Sequence, residues 1–351
     1  MSNLDRLNPK RILVCQLRQI GDVVISTASI ELLHKRYPDA EIHLLTEQKC
    51  APLVRNNPAI SKIWEIDRKA GLLKSLLFYY RAGANKYDLV VDFQRLPRCR
   101  WTLLFSRAPI KLCGPGKWYH KFFYSHFGGR PKGGYAGSMK ASVLEPLGIE
   151  WNHQKPKVYV TEAEREWATG YLRSQGLEPG MTLVTVDPTH RRKTRCWLQG
   201  HYAELLRRAA AERPDLRFYL LYGPGERKVV DAIIQASGVQ DRIILPPADR
   251  EPDLREMAAV VEQAALHFGN CSAPRHVAVA LDVPTLTIIG SNGPTAWTFP
   301  SEEHETAFIQ LECHKCNKEE CPKGTLACLR DLTPDMVLPQ FLAKLPVIPN
   351  P

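Results

Sequence analysis

Acidic side chains are missing altogether from residues 93–144, a stretch that carries ten lysines and arginines. The whole chain of 351 residues has 47 Lys and Arg against 37 Asp and Glu, a formal net charge of +10. The excess is uneven: residues 1–155 hold 25 basic and 12 acidic side chains, and the remainder 22 and 25. The first half is therefore at +13 and the second at −3. Such local concentration points to a polyanionic partner bound on one side, with solubilising surface charge as the plainer alternative. Other absences exclude whole classes. No apolar run approaches the ~20 residues that a membrane helix requires. Residues 1–10 are polar and contain no apolar signal core, so a cytoplasmic location is expected. Neither a repeat of solenoid length nor a low-complexity tract is present. Disorder is excluded by the hydrophobic fraction of 44%.

What is present is alternation. Apolar runs of strand length fall at 11–17, 41–45, 62–66 and 89–93, with helical periodicity at 24–37 and 71–85. The second half repeats the scheme, with strands at 182–186, 217–222, 242–245, 265–268 and 285–289. Helices intervene at 201–212, 226–237, 253–263 and 274–281, and a last one is expected at 334–345. This is the pattern of α/β domains with parallel sheets covered on both faces. A chain of this length is too large for one ordinary core. Two Rossmann-like domains facing each other across a cleft are expected, spanning 1–155 and 156–333, followed by a helix and tail at 334–351. Lys155-Pro156-Lys157 marks the junction, because proline disfavours helix before it and removes a backbone donor. Ligands of such folds bind at the carboxyl ends of the strands.

Four strand-to-helix turns carry chemistry at those ends. In Leu17-Arg18-Gln19-Ile20-Gly21-Asp22 the glycine permits a tight turn, and Asp22 stands at the helix start, either as a cap or facing the cleft. The loop from Asp187 to Trp197 combines Thr189, Lys193 and Arg195, cations and a hydroxyl suited to a diphosphate. In Gly223-Pro224-Gly225-Glu226 the carboxylate of Glu226 can accept from ribose hydroxyls or cap the helix. The last turn runs Asn270-Cys271-Ser272-Ala273-Pro274-Arg275-His276. There Asn270 or Ser272 can cap, Pro274 suits an early helical position, and free N–H groups offer a phosphate site.

Taken in order, these motifs resemble the ADP-heptose:lipopolysaccharide heptosyltransferases. The likeness rests on the Asp22 turn, Tyr37-Pro38-Asp39-Ala40-Glu41-Ile42, Arg195-x-Trp197, the Gly223–Glu226 turn, Asn270-x-Ser272-x-Pro274-x-His276 and Leu281-Asp282-Val283-Pro284. It runs from about Arg11 to about Val337. The resemblance implies a GT-B fold, with acceptor on the first domain and nucleotide-sugar on the second. It implies inverting, metal-independent transfer of heptose from an ADP-sugar donor to the lipopolysaccharide inner core, with no cofactor required. By position, Asp22 is then the general base. Thr189, Lys193 and Arg195 neutralise the leaving diphosphate with the N–H groups around Ser272–His276, and Glu226 contacts the ribose. Asn270, Ser272, Ala273 and His276 complete the expected donor site.

Three positions depart from the family pattern. Cys271 stands where relatives carry an acidic residue that holds donor-sugar hydroxyls, Ala273 where they carry glycine, and Arg195 where many carry lysine. A different donor sugar, or an inactive nucleotide-sugar-binding paralogue, is the alternative that these departures raise. A basic nucleic-acid-binding protein is the remote one, since no recognised RNA module or helix-turn-helix pattern is present, and no nucleic acid is expected as partner. The basic first half instead suits an acidic, Kdo-bearing lipid A glycolipid at the cytoplasmic face of an anionic inner membrane, with Arg18, Arg95, Arg98, Lys132 and Lys140 as candidate contacts.

The ten cysteines divide into six scattered thiols and the set Cys313-x2-Cys316-x4-Cys321-x6-Cys328. Four thiols in so short a segment have the ligand count of a structural zinc site, though not a standard ribbon spacing. A reduced or disulfide-linked loop is the alternative.

Overall fold

The computed structural model describes residues 4, 6–130 and 134–347, and the chain divides into two compact units, Met1–Tyr159 and Val160–Pro351. In the first unit the order is β1 (Arg11–Cys15), α1 (Ile20–Arg36), β2 (Glu41–Glu47), β3 (Lys62–Ile66), α2 (Leu72–Gly83), β4 (Leu89–Asp92), α3 (Pro97–Phe105), β5 (Ile110–Cys113), β6 (His126–Phe127) and α4 (Ala136–Ala141). The second begins with α5 (Glu162–Ser174), β7 (Thr182–Asp187), α6 (Gln199–Glu212), β8 (Leu216–Leu220), α7 (Arg227–Ser237), β9 (Ile243–Ile244) and α8 (Leu254–Glu262). It continues through β10 (Leu266–Asn270), α9 (Ala273–Ala280), β11 (Thr285–Ile288), β12 (His304–Ala307), α10 (Ala327–Arg330) and α11 (Pro334–Ala343).

Each unit holds one six-stranded sheet, ordered β3-β2-β1-β4-β5-β6 in the first and β12-β11-β10-β7-β8-β9 in the second. All the strand pairs are parallel. Counted from its own first strand, the second sheet follows the same order as the first. This is the doubly wound Rossmann arrangement, and its chain reverses direction between β1 and β4, and again between β7 and β10. Loops leaving the two central strands part to opposite faces there and leave a crevice at the carboxyl ends.

The strands read as buried runs because helices cover both faces. Ile12, Leu13, Val14 and Cys15 of β1 are fully buried, as are Leu89, Val90 and Val91 of β4. In α1 the start is closed by a reciprocal pair of bonds between Gln19 and Asp22, and His34, Lys35 and Arg36 face the negative end of the helix dipole. In the second unit Phe218, Phe268, Trp197 and Phe341 form an aromatic centre. Trp197 donates from Nε1 to the Leu332 carbonyl at 2.8 Å, which ties the polar edge of the indole to the segment leading into α11. Val337, Leu338 and Phe341 place that last helix in the core of the second unit.

Elements beyond those expected have identifiable causes. Strand β12 reads His304-Glu305-Thr306-Ala307, an edge strand without an apolar run, and β5 has only four residues with Lys111 among them. Helix α5 did carry a signal: Thr161 accepts from the Glu164 N–H at 3.3 Å, and Glu164 accepts from the Thr161 N–H at 2.8 Å. That Thr-x-x-Glu box is legible without coordinates.

Helices α2 and α3 pack closely through Gly83. A Cβ at this position would stand 2.3 Å from the Thr102 carbonyl oxygen and 3.0 Å from the Phe105 Cβ. Gly83→Ala is therefore expected to destabilise the first unit by about 1–3 kcal/mol through overpacking. Denaturant unfolding with matched slopes checks this; an unchanged midpoint would contradict the close approach.

Candidate functional site

In the first unit the crevice at the switch point gathers three carboxylates. Asp22 lies in the first turn of α1, and its Oδ2 accepts from the Gln19 N–H at 3.4 Å. Its Oδ1 is 3.3 Å from the Lys140 ammonium, and the Asp22 side chain keeps 24% of its surface exposed. This partial exposure leaves the carboxylate open to solvent. Lys140 also donates to Gln16 Oε1 at 2.9 Å. Burial pushes the lysine pKa down, while Asp22 opposes that shift. Lys140, expected on the acceptor surface, is thus placed beside Asp22.

The loop before α1 is held from β4. Gln94 Oε1 accepts from the Leu17 and Arg18 N–H groups at 3.0 and 3.1 Å, and its amide donates to the Arg18 carbonyl. Gln94 is anchored by Asp92, which accepts from the Gln94 and Arg95 N–H groups at 2.9 and 2.8 Å and from Tyr124 Oη at 2.6 Å. Burial raises the Asp92 pKa, against these hydrogen bonds. Arg95 turns its guanidinium onto the carbonyls of Gly114 and Pro115. Arg98 pairs at 3.1 Å with Glu47, a buried carboxylate that ends β2 and also attracts Lys49 and Arg68. The Arg18 side chain is exposed and makes no hydrogen bond or ion pair among the described residues. Lys132 lies outside the described residues.

The second unit builds its crevice from the ends of β7, β8 and β10. Thr189 Oγ1 donates to Glu226 Oε2 at 2.6 Å, and the same oxygen accepts from the Gly223 N–H at 2.8 Å. Asn270 Oδ1 accepts from the Trp197 N–H at 2.9 Å, while its amide donates to the Thr189 carbonyl at 3.3 Å. Ser272 donates to Asp187 Oδ2. Four predicted residues, Thr189, Glu226, Asn270 and Ser272, therefore share one network, and Asn270 acts within it as a brace between loops. Arg195 bonds to Asn317 and is half-buried, so its pKa is lowered by burial. Lys193 is exposed, and Ala273 begins α9. His276 is buried, its ring 6.0 Å from that of Trp297. Cys271 is buried too, and its Sγ accepts from Arg275 Nη1 at 3.3 Å.

Residues 81–327 match the family model of glycosyltransferase family 9 (heptosyltransferase). The chain belongs to glycosyltransferase family 9. It is 27% identical over 302 residues to lipopolysaccharide heptosyltransferase 3 of Escherichia coli (strain K12), covering 80% of this chain and 83% of that one. Likeness to lipopolysaccharide heptosyltransferase 2 of the same strain is 22% over 377 residues, covering 95% and 98%. Among solved structures, the glycosyl transferase family 9 protein from Veillonella parvula DSM 2008 superposes with a TM-score of 0.83 at 21% identity, covering 97% and 98%. E. coli heptosyltransferase WaaC with ADP-2-deoxy-2-fluoro heptose gives 0.68 at 18% identity, covering 95% and 99%. The two parallel α/β units accord with the GT-B fold of such glycosyltransferases, and the chain is a glycosyltransferase.

For a family 9 enzyme, the residues that sequence reasoning left out are Glu47, Asp92, Gln94 and Asp187. Asp92 and Asp187 end central strands, and that position was the available signal. Glu47 and Gln94 gave none, because their roles arise only where separate loops meet.

Cys313, Cys316, Cys321 and Cys328 are free thiols that line one cavity of about 270 Å³ together with His314. Among the described residues no three His, Cys, Asp or Glu side chains are placed to hold a metal ion. Burial and the charges of Cys316, Cys321 and Cys313 raise the Cys328 pKa, so the four sulfurs share one electrostatic environment, with Leu311, Pro322, Leu326 and Ala327 on the same cavity wall.

Asp187 yields a stability prediction. Burial raises its pKa to about 7, the Ser272 bond opposing and the Glu226 charge adding to the rise. An unfolded aspartate titrates near about 3.9. Between these values the unfolded state has released a proton that the folded state retains, so stability should fall as pH rises from about 4 to about 7. Asp187→Asn should flatten that slope. Denaturation midpoints across this range test it, and an equal slope in both proteins would contradict the assignment.

Proposed function

We propose that this enzyme transfers a heptose from an ADP-heptose donor to the lipopolysaccharide inner core at the cytoplasmic face of the inner membrane. The observation that carries the reading is Asp22, a partly exposed carboxylate held at the start of α1 by the Gln19 N–H and by Lys140. Support for the donor comes from the ligand of the related WaaC structure, ADP-2-deoxy-2-fluoro heptose. The names of the relatives support the acceptor. No helix among the described residues is long and apolar enough to cross a membrane. Attachment at the membrane is therefore read as peripheral.

In this reading an acceptor hydroxyl oxygen attacks the anomeric carbon and Asp22 takes its proton. The bond from that carbon to the diphosphate breaks, and ADP leaves with the bonding electrons from the opposite face, inverting the centre. Lys193, Arg195 and the N–H groups at the start of α9 neutralise the charge that grows on the diphosphate. Glu226 Oε2 is engaged by Thr189 and Gly223, so its Oε1 is the oxygen left to meet a ribose hydroxyl. Lys140 orients the base. The first unit's cations attract the acidic glycolipid, Arg18 being the exposed, uncommitted one.

Cys271 favours a second reading, in which the donor carries another sugar or binds without turnover. Its thiol is committed to the buried Arg275 guanidinium, so no carboxylate stands there for sugar hydroxyls.

Asp22→Asn should lower transfer from ADP-heptose to Kdo-lipid A by about a hundred- to ten-thousandfold, the range for loss of a general base. ADP-heptose affinity should be unchanged. Mass spectrometry of the product and calorimetry of the donor measure the two separately. Near-normal turnover in the variant would remove Asp22 as base, and wild-type binding without transfer would favour the second reading.

A further inference from the structure

Large exposed apolar side chains are unevenly placed. Of the ten among the described residues, eight lie on α2, α3 and the turn Trp118–Phe122; the other two are Met336 and Val347. On α2, Leu73, Leu77 and Tyr80 fall at helical positions i, i+4 and i+7 and form one outward stripe, with Leu73 82% exposed. Helix α3 adds Trp101 and Leu104, and the following turn adds Trp118 and Phe122, exposed by 75% and 77%.

These pieces are continuous. Tyr80 meets the Phe105 ring edge-on at 5.6 Å, joining α2 to α3. From α3, the Arg100 guanidinium lies 5.6 Å from the ring centres of both Tyr119 and Phe123, which joins it to the turn. Trp118 then packs on Phe122 at 5.9 Å. The segments that carry this surface are basic, since no acidic residue occurs in 68–87 or 93–144. Lys74, Arg81, Arg107, Lys117 and Lys121 are exposed and form no ion pair among the described residues.

We infer that α2, α3 and the Trp118–Phe122 turn form an insertion surface for an anionic lipid bilayer, with these leucines and aromatics entering the headgroup–acyl boundary and the flanking cations meeting lipid phosphates. The inference rests on the proposed membrane acceptor and extends it to a defined surface. Tryptophan, tyrosine and leucine ringed by Lys and Arg is the composition of an interfacial anchor. Exposed apolar area alone would equally suit self-association. A symmetric pairing of this face, however, would set its cations against the same cations of the second copy, without a carboxylate to answer them. Anionic lipid satisfies both the apolar and the charged parts.

The test uses the full chain and vesicles free of any glycolipid acceptor, so that it does not depend on the transfer reading. Wild type should sediment with equimolar phosphatidylcholine–phosphatidylglycerol vesicles and far less with phosphatidylcholine alone. Its tryptophan emission should shift to the blue on binding and be quenched by brominated acyl chains. Leu73→Ser/Leu77→Ser and Trp118→Ser/Phe122→Ser should each weaken vesicle binding by about tenfold or more, while Lys74→Glu/Arg81→Glu should abolish the preference for anionic lipid. Melting temperatures and turnover on a deacylated, water-soluble acceptor should stay at wild-type values for the serine variants. Failure of wild type to bind the anionic vesicles, or serine variants that bind as wild type does, would overturn the surface. So would a dimer that these variants dissociate. Vesicle binding by a protein that shows no transfer to any core acceptor would uphold the surface and sink the proposed function instead.

Discussion

The parallel pairing of β1 with β4, repeated by β7 with β10, is the constraint on which the remaining structure depends. Because the chain reverses its winding between these strands, their following loops separate and leave backbone groups that must find partners. In the first unit Gln94 supplies them, bridging from the β4 loop to the N–H groups of Leu17 and Arg18. In the second, Asn270 and Ser272 reach from the end of β10 to Trp197, Thr189 and Asp187. Gly269 makes that approach feasible, since a Cβ there would lie 2.5 Å from the Asp187 carbonyl oxygen. One topological feature thus positions both the Asp22 turn and the loops that carry Thr189, Trp197 and Ser272.

Electrostatics sorts the side chains around this frame. Cations near the crevice of the first unit are spent on structure: Arg98 on Glu47, Arg95 on carbonyls, Lys140 on Asp22. Lys74 and Arg81 on α2, Arg107 after α3, and Lys117 and Lys121 at the next turn form no ion pair among the described residues and lie beside exposed leucines and aromatics. The same excess of basic residues therefore does two jobs, and burial separates them. Around Asp187 the balance reverses: a carboxyl buried near Glu226 holds its proton longer, and Ser272 supplies its hydrogen bond.

Much of the fold was open to reading from periodicity. Every strand expected from an apolar run is present, including β1, β4, β7 and β10, because buried parallel strands must be continuously apolar. Edge strand β12, with His304 and Glu305, escaped for the converse reason. Residues that the structure places at the two crevices were legible where a motif joined strand to helix, as with Asp22, Thr189, Glu226 and Ser272. The roles of Glu47 and Gln94 were not, because each bonds a segment that is remote in sequence. Arg95 and Arg98 looked like surface cations, and only burial and partners distinguish them from Arg18.

By itself, the sequence determined the two α/β units, their apolar cores, the family to which the chain belongs and the segregation of positive charge. Each of these follows from local pattern or from composition, which need no knowledge of distant neighbours. Tertiary structure decided that Lys140 faces Asp22, that Cys271 answers Arg275, that the four late cysteines line one cavity, and that α2 and α3 present leucines and aromatics outward. These are contacts or exposures created when remote segments pack, and side-chain identity alone does not specify them.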